Sequence, residues 1–82
     1  MIKVKVLYFG TARDAAGRGE EQISFSKAAS VRDLLTAAEG KHEGLSRIRK
    51  AVRVAINEEI VEAGAHLHDG DVVAILPPVA GG

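Results

Sequence analysis

The sequence predicts an α+β fold, a mixed sheet of about five strands packed on one main helix. Three observations carry this reading. Residues 2–9, 21–25 and 52–57 alternate apolar with polar side chains at the period of a strand. Residues 31–38 place apolar side chains at helical spacing. Residues 72–76, Val-Val-Ala-Ile-Leu, are apolar throughout, as a strand covered on both faces requires. Eighty-two residues make one small domain. At this size folding buries only about 60–65% of the surface of the unfolded chain. One modest core leaves no room for a deep private active-site cleft, so a function exercised through a partner protein is expected.

The elements follow in order. Ile2-Lys3-Val4-Lys5-Val6-Leu7-Tyr8-Phe9 alternates at first and then turns apolar on both sides, a strand whose far end is covered on both faces. Ala12–Ala16 forms a helical turn, closed by Gly17-Arg18-Gly19, and Glu21–Phe25 is the second strand. Ser30 is an N-cap with Asp33 at the capping-box position, and the acid suits the positive helix end. Val31, Leu34, Leu35 and Ala38 then make one apolar face, and Gly40 supplies the stop. A weaker helix is read at Leu45–Lys50. Val52, Val54 and Ile56 mark a third strand, and Asn57-Glu58-Glu59 turns the chain into a brief strand at Ile60-Val61. Asp69-Gly70-Asp71 turns it into the last strand, Val72–Leu76, which Pro77 ends because proline cannot donate to a ladder. With the first and last strands paired centrally over one helix, this order is the β-grasp, the architecture of ubiquitin.

Composition removes several functions. Eleven basic and eleven acidic residues cancel, which argues against a dedicated binder of nucleic acid or anionic membrane. With no cysteine there is no disulfide, thiolate metal site or cysteine nucleophile. The amino-terminal residues have no secretory pattern, and no stretch approaches the ~20 apolar residues that span a bilayer. The cytosol is the default compartment.

The last six residues, Pro77-Pro78-Val79-Ala80-Gly81-Gly82, carry the chemistry. The body is read as residues 1–76 and the tail as 77–82. Two prolines hold the tail extended, and six residues reach roughly 20 Å. Gly81 and Gly82 have no Cβ, so the tip can enter a narrow channel with the Gly82 carboxylate foremost. A carboxylate is a poor electrophile until a nucleotide converts it to an acyl-adenylate. The chain has no suitable base, nucleophile or phosphate loop for that step: Gly40-Lys41 lacks the flanking residues of a P-loop. Activation must come from another protein. Chance alone would end about 0.5% of chains in two glycines.

The segments Met1–Arg13, Ser30–Leu35, Val54–Val61, Asp69–Ala74 and Pro77–Gly82 closely resemble the ubiquitin-like sulfur carriers, in particular the small subunits of molybdopterin synthase. The likeness covers nearly the whole chain. It implies that Gly82 is adenylated and converted to a thiocarboxylate, with Gly81 the slender position behind it. It implies an adenylyltransferase related to ubiquitin activation, which uses ATP, and a sulfurtransferase that supplies the sulfur. It also implies a large catalytic subunit, two small with two large, that moves sulfur onto a cyclic pyranopterin. No tightly bound cofactor or metal is implied, and the small subunit is not an enzyme by itself. Phe9, Ile60 and Leu76 match apolar positions that pack on the partner, and Arg13 matches a basic position near that surface. Many relatives have an aromatic pair where this chain has Ile75-Leu76, which keeps apolar area and loses ring surface.

Other readings stay open here. Carriers for thiamine synthesis or tRNA thiolation share the fold and the glycine pair, and a covalent protein modifier would join Gly82 to lysines. A plain interaction or RNA-binding domain would be indifferent to its tail. His42, His66 and His68 invite a metal reading, but loop histidines in solvent fit their spacing better. Arg47, Arg49, Lys50 and Arg53 form the densest basic cluster, a solvated face or a docking patch for an acidic partner. Phe9, Ile60 and Leu76 belong either to the core or to an apolar patch on the outer face of the sheet.

Overall fold

The computed structural model describes residues 1–77. It contains β1 (Ile2–Tyr8), α1 (Gly10–Ala16), β2 (Glu20–Phe25), α2 (Val31–Lys41), β3 (Arg53–Ile56), β4 (Glu59–Val61) and β5 (Val72–Leu76). The sheet order is β2-β1-β5-β3-β4, with β1 and β5 parallel at the centre and the other neighbours antiparallel. The central pairing of first and last strands is the one expected from the sequence.

One face of the sheet holds the core. Val4, Val6 and Tyr8 of β1 and Val73 and Ile75 of β5 meet Val31, Leu34 and Ala38 of α2, with Ala12 and Ala16 of α1 beside them. Leu34 and Val73 are fully buried, and side chains of this size each contribute about 1.5–3 kcal/mol by leaving water. Ser30 caps α2 with a reciprocal box: its hydroxyl accepts from the Asp33 N–H at 3.3 Å, and the Asp33 carboxylate accepts from the Ser30 N–H at 2.9 Å.

Several boundaries differ from the sequence reading. α1 begins at Gly10, two residues before the expected turn. Gly40 does not stop α2, which runs on to Lys41 and is capped at His42. The side chain of His42 is held by Glu21 of β2, so a tertiary contact fixes that end rather than a glycine. The expected helix at Leu45–Lys50 is two short 3-10 turns, Glu43–Arg47 and Arg49–Ala51. β3 starts at Arg53, leaving Val52 outside it, and β4 starts at Glu59.

The larger difference concerns the second face. The apolar runs at the end of β1 and along β5 predict cover on both sides. Instead Phe9 is 46% exposed, Ile60 54% and Val72 37%. Both helices pack on the core face, so among the described residues nothing shields this other side.

Candidate functional site: the outer face of the sheet

The register of the strands assembles the outer face. Leu7 of β1 lies opposite Ala74 of β5, Ala74 opposite Ala55 of β3, and Ala55 opposite Ile60 of β4. Four apolar residues therefore cross the sheet in one row, about 14 Å long at the usual strand spacing. Ala55 sits in this row and is only 6% exposed. Val72 and Leu76 flank Ala74 on the same face, since alternate residues of a strand share a side.

Phe9 extends the patch by one position. Its backbone is still extended (φ −120°, ψ 151°), and its N–H donates to the Ile75 carbonyl at 3.2 Å. Tyr8 points into the core, so Phe9 points out, beside Leu76. Phe9 shares a recess of about 470 Å³ with Leu7, Val72, Ala74, Asn57 and Glu58. On its other side it shares one of about 550 Å³ with Arg13 of α1 and Arg18. Phe9, Arg13 and Leu76 are thus gathered at one end of the patch, with Ile60 across the sheet from them.

The exit of β5 is fixed by a close approach. Gly10 has φ +52°, and a Cβ there would lie 2.8 Å from Cγ of Pro77. The proline ring occupies the space that the glycine leaves open. Pro78, Val79, Ala80, Gly81 and Gly82, named above as the reactive tail, lie outside the described residues.

Two polar arrangements brace this face from beneath and beside, and sequence reasoning missed both. In the first, the Tyr8 hydroxyl donates to Glu21 Oε1 at 2.6 Å, and His42 Nε2 lies 2.5 Å from the same oxygen. The Tyr8 and His42 rings meet edge to face at 5.8 Å. Burial pushes the Tyr8 hydroxyl far above its ordinary value, and the bond to Glu21 adds to this. Burial also raises the Glu21 carboxyl, but the hydrogen bonds from Tyr8 and His42 and the charges of His42 and Arg18 outweigh it and hold the group below 4.5. His42 is therefore no solvated loop histidine; it pins the end of α2 to β1 and β2.

In the second, Asp71 is the one polar or charged residue buried among the described residues, 8% exposed. Its carboxylate accepts from the His68 N–H at 2.8 Å and from Asn57 Nδ2 at 3.0 Å. Asn57 Oδ1 in turn accepts from the Val72 N–H at 3.0 Å. This ties the β3–β4 turn to the start of β5 and keeps Asn57 and Glu58 at the rim of the apolar recess. Asn-Glu-Glu and Asp-Gly-Asp were legible as turns; that one turn holds the other was not.

His66 bridges to Ser30 at an isolated strand contact, and the side chain of His68 is 81% exposed. Among the described residues no group of three or more His, Cys, Asp or Glu side chains is placed to hold a metal ion. No described helix is long and apolar enough to cross a membrane.

The model of the ThiS family matches residues 6–82. The chain belongs to the ThiS family. It is 37% identical over 83 residues to the molybdopterin synthase sulfur carrier subunit of Chlamydomonas reinhardtii, covering 99% of this chain and 100% of that one. Among solved structures, the fold is similar to a molybdopterin converting factor, subunit 1, from Pyrococcus furiosus, with TM-score 0.87 and 37% identity over 96% of this chain and 100% of the other. It is also similar to a chain in the complex of subunits 1 and 2 of the molybdopterin-converting factor from Helicobacter pylori, with TM-score 0.70 and 28% identity over 99% and 100% of the two chains. The β-grasp reading and the resemblance to the sulfur carriers are both borne out.

Proposed function

We propose that this chain is the sulfur carrier subunit of a molybdopterin synthase, with Gly82 bearing the sulfur as a thiocarboxylate. The observation that carries the reading is the exposed apolar face formed by Leu7, Phe9, Val72, Ala74, Leu76 and Ile60 at the point where β5 releases the tail. Exposed apolar area of this kind suits a protein partner. The Helicobacter pylori complex of subunits 1 and 2 supports a second subunit as that partner. Residues 1–76 form the body and 77–82 the tail, rooted where Pro77 rests on Gly10.

The chemistry is divided between chains. In the activating enzyme the Gly82 carboxylate attacks the α-phosphorus of ATP and expels pyrophosphate. Hydrosulfide-level sulfur then attacks the carbonyl carbon of the acyl-adenylate, AMP leaves with the electron pair of the broken C–O bond, and the product is the thiocarboxylate. In the synthase the thiocarboxylate sulfur bonds to a carbon of cyclic pyranopterin monophosphate as a C–O bond at that carbon breaks. Water then hydrolyses the acyl–sulfur bond, leaving the sulfur on the pterin and restoring the Gly82 carboxylate. A dithiolene needs two sulfurs, which fits two carriers with two large subunits. The small chain supplies reach, a slim tip and a docking face; it is not itself the catalyst, and the cytosol is its place of work. Phe9, Arg13, Ile60 and Leu76 serve the docking face.

The test is the intact mass of the chain, tagged only at its amino terminus and purified from its own organism. The expected result is a population heavier by the difference between one sulfur and one oxygen, lost when Gly82 is deleted. An unmodified mass in cells making molybdenum cofactor, or Gly82 recovered in isopeptide linkage to lysine, would overturn the reading.

A further inference from the structure

A further recess, of about 570 Å³, opens between α2, the turn Arg49–Ala51 and the β3–β4 pair. Its lining holds Arg32, Arg49, Lys50 and Arg53 against one acid, Glu62. The chain as a whole is neutral, so the rest of the molecule is net acidic. Arg49 is engaged by Glu39. Arg32, Lys50 and Arg53 make no ion pair among the described residues. Beneath these cations lie Leu35, Val52 and Val61, each half-buried against the core. Residues 60–63 run along the recess, and β4 is an edge strand that pairs only with β3. The outward backbone groups of such a strand are open to pairing.

We propose that this recess docks an extended acidic segment of a partner protein. Its carboxylates would meet Arg32, Lys50 and Arg53, and an aliphatic side chain would rest on Leu35, Val52 and Val61. Charge complementarity selects the acid, and the open edge of β4 suits an extended backbone. The apolar floor offers nothing to a bare anion. The acidic balance of the remaining surface opposes a polyanion too large for the recess, such as nucleic acid. Ile60 and Arg53 border both this recess and the outer face of the sheet. A partner seated on that face can therefore send such a segment over the β4 edge. The inference stands on the recess alone and survives if Gly82 proves to carry no sulfur.

The probe is a fluorescein-labelled peptide alternating aspartate, glutamate and leucine, with a lysine-for-acid counterpart, titrated into the full chain. Saturable binding of the acidic peptide alone is expected, weakening as salt rises. Amide shifts should be confined to the first turn of α2, residues 49–54 and residues 60–63. Lys50→Glu combined with Arg53→Glu should weaken binding at least about tenfold while leaving the melting temperature unchanged; two exposed charges have little role in stability. Deleting Gly82 should change nothing here, which separates this result from the sulfur-carrier test. Shifts centred instead on Lys3, Lys5 or Arg18, undiminished binding by the double variant, or full displacement by inorganic phosphate would each overturn the proposal. So would tighter binding of a single-stranded oligonucleotide at the same residues.

Discussion

Glu21 shows how a single side chain can hold three elements. Its carboxylate, with only 7% of the side chain exposed, accepts from Tyr8 and contacts His42. Because its folded pKa lies below 4.5, it adds stability at pH values above that point, and the gain is lost as pH falls through the lower folded value. Glu21→Gln should remove about 1.5–3 kcal/mol near neutral pH and flatten the acid limb of the stability profile. Urea unfolding between roughly pH 3 and 7 measures both effects. Tyr8 works in the opposite direction. Its raised pKa means that stability declines as pH climbs past 10.0, where the unfolded tyrosine ionises. In the sequence, period two already placed Glu21 on the side of Ile23 and Phe25. It gave no hint of the partners, because Tyr8 and His42 are distant in sequence and meet Glu21 only in the folded chain.

At the scale of elements, local signals were legible and distant ones were not. The N-terminus of α2 was readable because Ser30 and Asp33 satisfy each other within one turn. Ser30→Ala should cost about 1 kcal/mol, read as a lower denaturation midpoint with an unchanged slope. Its C-terminus was misread at Gly40 because the true end depends on a bond across to β2. The β3–β4 hairpin was read as a turn, but not its strain: Asn57 and Glu58 have φ of 50° and 72°, in the left-handed region. Asparagine tolerates this region and glutamate does so poorly. Glu58→Gly should therefore raise stability by about 1 kcal/mol. Thermal or chemical unfolding checks it, and a loss of stability would show that Glu58 is held by something other than the turn.

For the whole molecule, the decisive feature is an apolar face with no described element over it. Phe9→Ser and Ile60→Ser should leave stability within about 0.5 kcal/mol, since neither side chain is buried. The same substitutions should weaken association with the large subunit of a molybdopterin synthase at least about tenfold, measured by calorimetry. If both variants bound normally, the docking face would lie elsewhere. Leu34→Ala is the contrasting case: a fully buried side chain whose loss should cost about 2–5 kcal/mol.

By itself the sequence determined the strand and helix periods, the capped start of α2 and the central place of β5. Each of these is written in neighbouring residues, where hydrophobic period and capping geometry act over a few positions. Tertiary structure decided which apolar residues are core and which are surface. Val72 and Val73 are the same amino acid side by side, yet one is 37% exposed and the other fully buried. Burial depends on what packs over each face, and α1 and α2 both chose the same one.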